Sequence, residues 1–212
     1  VYSRQQLTAK PRDSHFWLKQ AAPRLSRNTP VGEQQVWHFL LPAEGMANYK
    51  DKEVKALYPE AFKQLAAWRK DFFAPFSDFD VQRLQKLSQK VDLLWQEHTQ
   101  SQRAIRHKTS DPYDVFGMRS QQRQRSSIAE KDHILGQELY AKGLSNSSAF
   151  GRLKLAMDYW CALWFWPIEH IADLPTREEW LFELENLLLG DLISTTPHAQ
   201  QGDLFAATNP EQ

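Results

Sequence analysis

Apolar residues recur at helical spacing through most of the chain beyond residue 51. Ala61, Leu65, Trp68 and Phe72 follow one another at steps of four, three and four residues, which places them on one face of a helix. A similar alternation of three and four residues runs through 84–105 inside a polar sequence. Together with turn residues and Gly stops, these patterns predict amphipathic helices at 59–73, 78–108, 127–142 and 176–189.

Two of these helix starts have the spacing of a capping box. Ser127 is followed three residues later by Glu130, and Thr176 by Glu179. In such a box the hydroxyl and the carboxylate each accept a free amide hydrogen of the first turn. The chain is therefore expected to enter a helix after Ser127 and again after Thr176.

Residues 152–170, RLKLAMDYWCALWFWPIEH, form a tryptophan-rich stretch. Its apolar run, Leu155 to Ile168, is shorter than the roughly 20 residues that span a bilayer, and it contains Asp158. The pattern predicts a core helix with the amphipathic helices around it, because apolar residues occupy all its sides. Asp158 is expected to be a buried acceptor for tryptophan or tyrosine hydrogens.

The run QVWHFLLP, at 35–42, is the best strand candidate, and Pro42 stops it. Its partner is expected either within 1–34 or outside this chain, since one strand cannot form a sheet. The predicted fold is mainly α, a helical bundle around the central tryptophan-rich helix with a minor β element near 35–41. The predicted divisions are a basic, loop-rich segment at 1–50, a helical domain at 51–192 and a polar tail or linker at 193–212.

The composition and the motifs absent from the sequence exclude several classes of functional site. The chain has 26 basic and 26 acidic residues, so no global charge attracts it to nucleic acid or membrane. Cys161 is the single cysteine, which excludes an internal disulfide framework and a thiolate metal cage and fits the cytoplasm. The sequence contains no phosphate loop, dinucleotide fingerprint or nucleophile elbow. His98 falls on the apolar seam, where a core histidine is the favoured interpretation. No catalytic, cofactor-binding or metal-binding residue is predicted.

The segment from Arg103 to Arg125 carries a local excess of positive charge amid glutamines and serines. Clustered arginines on an exposed loop can neutralise phosphates, whereas the competing interpretation is an ordinary solvated loop. The candidate DNA contacts are Arg103, Arg106, Lys108, Arg119, Arg123 and Arg125. N-terminal basic residues can extend this patch if the fold brings them close: Arg4, Lys10, Arg12, Lys19, Arg24 and Arg27.

The tryptophan-rich phrase with LPTREEWLFELENLL, together with RNTPVGEQQVWHFLLP, AWRKDFFAPFS and QGDLFA, covers much of the chain. It resembles a stretch of the large class I S-adenosylmethionine-dependent DNA methyltransferases of bacterial defence, the restriction-modification, BREX-like and DISARM-like enzymes that methylate adenine N6. The resemblance implies a helical insertion or accessory domain of a larger enzyme, with S-adenosylmethionine bound elsewhere in that parent and not by this segment.

The catalytic motifs of that family are missing from this sequence. Its Asn-Pro-Pro-aromatic tetrapeptide is matched only in part, by Asn209 and Pro210 in TNPEQ and by Asp111, Pro112 and Tyr113 in SDPY. No catalytic residue carries over, so this segment is not expected to be active alone.

Two roles follow as expectations. The first is an accessory domain that helps to position duplex DNA within the methyltransferase. The second is a structural docking module without DNA contact, in which the long helix at 78–108 is a platform for the rest of the parent chain or for a partner subunit. DNA positioning requires basic side chains exposed on one surface, whereas docking requires an exposed apolar patch. No membrane contact is expected.

Overall fold

The computed structural model describes residues 1–25, 31–110, 127–137 and 145–190. The fold is mainly α, as the sequence predicts. The helices are α1 (Arg4–Thr8), α2 (Lys52–Leu57), α3 (Pro59–Phe72), α4 (Asp78–Thr109), α5 (Ile128–Ile134), α6 (Ala149–Ala162) and α7 (Arg177–Leu189). The predicted helices at 59–73, 78–108 and 176–189 are thus confirmed to within a residue or so. For the predicted helix at 127–142, α5 is the described part.

The 32-residue helix α4 is the spine of the fold and is about 48 Å long. Its start is fixed by a capping box in which the Ser77 hydroxyl accepts from the Asp80 amide and the Asp80 carboxylate accepts from the Ser77 amide. The apolar seam of its first four turns is buried and includes Leu84, Leu87 and Leu94. Both α6 and α7 pack along this seam.

An arginine joins α4 to α7. Arg83 Nε donates to Glu185 Oε1 at 2.8 Å, and Arg83 Nη1 donates to Glu178 Oε1 at 2.8 Å. The Arg83 side chain is largely buried. These charge-assisted hydrogen bonds fix how the two helices face each other, because a guanidinium holds two carboxylates in a set geometry.

A second buried arginine joins α6 to the end of α7. Arg152 Nε donates to the carbonyl oxygen of Leu187 at 3.0 Å, and Nη2 donates to that of Leu188 at 2.5 Å. The last carbonyls of a helix have no partner within it, so Arg152 supplies donors that the helix lacks.

The tryptophan-rich helix is not enclosed on all sides. α6 ends at Ala162, and its outward face exposes Met157 and Cys161, followed by Phe165 in the turn beyond. The expectation for Asp158 is wrong: its side chain is 53% exposed and pairs with Lys154. Trp160, on the same helix, has a backbone acceptor instead, because its Nε1 donates to the carbonyl oxygen of Leu41 at 2.8 Å.

The minor β element is present but shorter than predicted. Strand β2 (Gln35–Val36) pairs antiparallel with β1 (Tyr2–Ser3), so the partner lies within the N-terminal region. The following residues, His38–Leu40, form a 3₁₀ turn instead of continuing the strand.

Side chains of the N-terminal region join the same core as the long helices. Trp17 is buried, and its Nε1 donates to the carbonyl oxygen of Pro42 at 3.1 Å. Leu7 and Leu40 belong to one apolar cluster with Leu84 of α4. The predicted tail at 193–212 lies outside the described residues. Among the helices that the structure describes, none is long and apolar enough to cross a membrane.

Candidate nucleic-acid interface

Three of the six predicted DNA contacts lie on the last turns of α4. Arg103, Arg106 and Lys108 are exposed there. The other three, Arg119, Arg123 and Arg125, lie outside the described residues. The described part of the candidate interface is therefore its helical end.

The helix brings two of these three side chains together. Arg103 and Arg106 are three residues apart and so share a face, whereas Lys108 points about 140° away from Arg103 around the helix axis. Neither arginine makes an ion pair or a side-chain hydrogen bond within the described parts of the chain. Their guanidinium groups are available to an anionic ligand.

This end of α4 lies beyond the main core. Ile105, on the opposite face from the two arginines, is buried but does not belong to the main apolar cluster. The short helix α5 packs against α4. The distal turns of α4, with their arginines, therefore lie outside the main apolar cluster.

The N-terminal basic residues are not shown to enlarge this surface. Arg4 pairs with Asp78 at 2.7 Å, at the opposite end of α4. Asp78 and Arg103 are 25 positions apart on the helix, which places them about 37 Å from each other. Arg4 therefore does not extend the patch, and Arg27 lies outside the described residues.

An apolar groove of about 480 Å³ opens between α4, α6 and the 3₁₀ turn His38–Leu40. Its floor and walls include Val91 and Trp95 of α4 and Leu153 and Met157 of α6. Trp95 is 59% exposed, which is unusual for so large an apolar ring.

Aromatic rings form the end of this groove that lies towards the tip of α4. The ring centroids of Trp95 and His98 lie 5.8 Å apart, and those of His98 and Phe150 lie 5.1 Å apart. His98 is thus half-buried between aromatic neighbours, close to the core role predicted for it. On the other wall Trp37 Nε1 donates to Asp92 Oδ1 at 3.0 Å. Burial raises the pKa of Asp92, and the Trp37 hydrogen bond opposes that rise.

A second cleft, of about 380 Å³, lies where the N-terminal region meets the end of α6. It is lined by His38, Trp160 and Trp164, with Lys19 at the same cleft. Burial lowers the pKa of His38. The sequence showed no basic residue within 155–168, and the fold brings Lys19 there from far along the chain.

Both cavities were missed by sequence reasoning. Trp95 was a signal in the sequence, because it is a large apolar ring beside the apolar seam of the helix and not on it. Trp37 and Phe150 gave no such signal, because their nearness to Trp95 depends on long-range packing.

The described residues do not contain a group of three or more side chains placed to hold a metal ion. One strongly perturbed group, Tyr159, has its pKa raised to about 12, by burial first and then by Glu183 and Glu179. Its ring packs against Trp180, with centroids 4.8 Å apart. A raised pKa keeps this phenol protonated, which suits packing and not general-base chemistry.

The resemblance to DNA methyltransferases stays a prediction. No protein family, curated protein or solved structure matches this chain in comparison with known proteins.

Proposed function

We propose that this chain is a non-catalytic helical module that holds duplex DNA, as an accessory domain of a bacterial DNA adenine-N6 methyltransferase. The observation that carries the proposal is the pair of exposed arginines, Arg103 and Arg106, on one face of the distal turns of α4, which make no ion pair or side-chain hydrogen bond within the described residues. In this proposal S-adenosylmethionine binds to the parent enzyme, which acts in the cytoplasm in phage defence.

The physical argument rests on phosphate recognition. Guanidinium groups donate paired hydrogen bonds to phosphate oxygens, and contacts of this kind fix the register of a protein on a duplex without reading its sequence. Arg103 and Arg106 are offset by about 4.5 Å along the helix axis. In this proposal Arg119, Arg123 and Arg125, which lie outside the described residues, add further phosphate contacts.

A titration of fluorescent duplex DNA at several salt concentrations tests the proposal. Replacing Arg103 and Arg106 together by Ala should weaken binding and lower the slope of log K against log salt by about two, because each lost phosphate contact releases about one counterion fewer. The matched control replaces two exposed lysines that are not candidate contacts, Lys55 of α2 and Lys70 of α3, and should keep the slope. Absence of duplex binding at low salt, or an equal loss in the control, would overturn the proposal.

A docking role is the second candidate, and the outward face of α6 favours it. Phe165 is 83% exposed in the turn beyond the helix, Trp164 beside it is 36% exposed and Met157 on the helix is 49% exposed. Large exposed apolar side chains are typical of a surface that another chain or domain covers. The partner in this proposal is the rest of the methyltransferase.

The reading frame and a pull-down test this second role together. The frame should continue beyond Gln212 into an Asn-Pro-Pro-aromatic tetrapeptide. The remainder of that polypeptide, expressed separately, should bind the wild-type chain but not the Phe165→Glu variant. The control variant, Phe182→Glu, changes an exposed residue of α7 and should still bind. A stop codon directly after Gln212 would contradict both the docking role and the methyltransferase origin.

A further inference from the structure

We propose that the apolar groove between α4 and α6 receives an unpaired nucleobase from a nucleic acid whose phosphates contact Arg103 and Arg106. This inference rests on the proposed function, and it adds the ligand class that the groove accepts. It follows from the position of the groove on α4, from the character of its walls and from the distribution of charge around it.

The groove and the arginines are connected along one helix. Trp95, Thr99, Gln102 and Arg106 are spaced by four, three and four residues, so they form a single stripe on α4. The stripe runs about 16 Å from the mouth of the groove to the Arg106 backbone, and Arg103 lies beside it. A strand that follows this stripe meets an aromatic ring at one end and cations at the other.

The groove has the walls that stacking requires. The Trp95 indole is 59% exposed at its rim, and Phe150 and Met157 face the same space. Every base presents a π-face, so aromatic side chains bind unpaired bases with little dependence on sequence. The half-open shape leaves the polar edges of a base in contact with water, so the apolar walls need not satisfy them.

The groove is apolar and the two arginines lie outside it, which is the arrangement that a base and its phosphates require. Among the described residues that line the groove, the charged ones are Lys154 and Asp158, which pair with each other. Asp92, beside the groove, accepts a hydrogen bond from Trp37 Nε1. An uncharged base therefore fits the groove, whereas a phosphate does not. The cations lie outside it, on the distal turns of α4, where the phosphates would pass. Single-strand binders combine a basic track and stacking rings in this way.

The exposed ring of Trp95 lies on a different element from the tryptophans of 155–168. No basic residue lies within 155–168, whereas Arg103 and Arg106 lie on the same helix as Trp95. An exposed ring and basic side chains therefore occur together on α4, which is the combination that stacking in single-strand binders uses.

The test compares four fluorescent DNA ligands at one salt concentration: a blunt duplex, the same duplex with a one-nucleotide bulge, that bulge made abasic, and a single strand. The wild-type chain should prefer the bulge and the single strand to the blunt duplex, and the abasic bulge should lose the preference. Trp95→Ala should bind the bulge between about 5-fold and about 150-fold more weakly and the blunt duplex unchanged. Trp95→Phe should keep most of the preference.

The matched control is Leu93→Ala. Leu93 is 58% exposed on α4, close to Trp95 in sequence but on another side of the helix and outside the groove. The Leu93→Ala variant should bind all four ligands with the affinities of the wild type. Because both side chains are exposed, the thermal melts of the two variants should match that of the wild type, so weaker binding would not reflect unfolding.

The outcomes separate this inference from the proposed function. If the blunt duplex binds through Arg103 and Arg106 but no preference for an unpaired base appears, the inference is wrong and the proposed function stands. If none of the four ligands binds, both fail. If none binds and an apolar dye occupies the wild-type groove but not that of Trp95→Ala, the groove takes an apolar protein segment, and the inference is overturned in favour of docking.

Discussion

Gly45 and Trp164 show how one residue determines the second cleft. The indole of Trp164 lies so close to Gly45 that a Cβ at residue 45 would overlap its six-membered ring. Nearby, the Ala47 amide donates to the carbonyl oxygen of Leu163 at 2.8 Å, which ties this loop to the end of α6. A glycine is therefore needed at residue 45, because the Trp164 ring occupies the space that a side chain there would fill.

Gly45→Ala should lower the free energy of unfolding by about 1–3 kcal/mol, because the added methyl group forces the Trp164 ring out of its packed position. Urea unfolding measures the change. The matched control is Gly32→Ala, whose Cβ would meet no atom closer than 3.6 Å and should cost little or nothing. In a Trp164→Ala background the Gly45 substitution should lose most of its cost. Equal effects of the two glycine substitutions would contradict this account.

The sequence also predicted that tryptophans would need hydrogen-bond acceptors, but not which groups supply them. A buried indole hydrogen requires an acceptor, and Asp158 was the nearest candidate on the same helix. Trp160 instead donates to the carbonyl oxygen of Leu41. That acceptor is 119 positions away in sequence, so a local reading could not find it.

The starts of α5 and α7 were predicted because the signals that set them are local. In the box that starts α7, the Thr176 amide donates to the Glu179 carboxylate at 2.7 Å, and the Glu179 amide donates to Thr176 Oγ1 at 3.2 Å. Both groups lie within one turn of each other in sequence. The strand at 35–42 was overestimated for the converse reason, since the length of β2 depends on its pairing with Tyr2–Ser3.

Thr176→Ala should destabilise the protein by about 1 kcal/mol, because it removes the acceptor for the first free amides of α7. The control, Thr99→Ala, removes a threonine from the interior of α4, where its hydroxyl donates to the Trp95 carbonyl. That change should be neutral or slightly stabilising, because alanine is the better helix former. Chemical denaturation of both variants measures the difference.

The cost of Thr176→Ala should also depend on pH. The hydrogen bonds from the Thr176 amide and hydroxyl lower the pKa of Glu179 in the folded state. The stability that they contribute is present above the unfolded pKa of Glu179 and is lost as the pH falls through the folded pKa. The gap between wild type and Thr176→Ala should therefore narrow in acid, and a gap that widens there would contradict the role of the carboxylate.

At the scale of the whole molecule, α4 belongs to two regions that differ in packing. Its first turns contribute Leu84, Leu87 and Leu94 to the main core, whereas Ile105 lies outside that cluster. Charge along the sequence indicated Arg103 and Arg106 correctly as exposed residues. The groove beside them could not be predicted, because Trp37, Trp95 and Phe150 meet only when α4, α6 and the N-terminal region pack together.

This division predicts that the two parts of α4 open separately. Hydrogen exchange should show amides at 81–94 exchanging only through global unfolding and those at 100–109 through a local opening of lower free energy. Leu87→Ala should lower the global free energy of unfolding by about 2–5 kcal/mol. Ile105→Ala should instead speed exchange at 100–109 and leave 81–94 protected. If Ile105→Ala speeds exchange equally along the whole helix, α4 unfolds as one unit, and the basic end is not an independent arm.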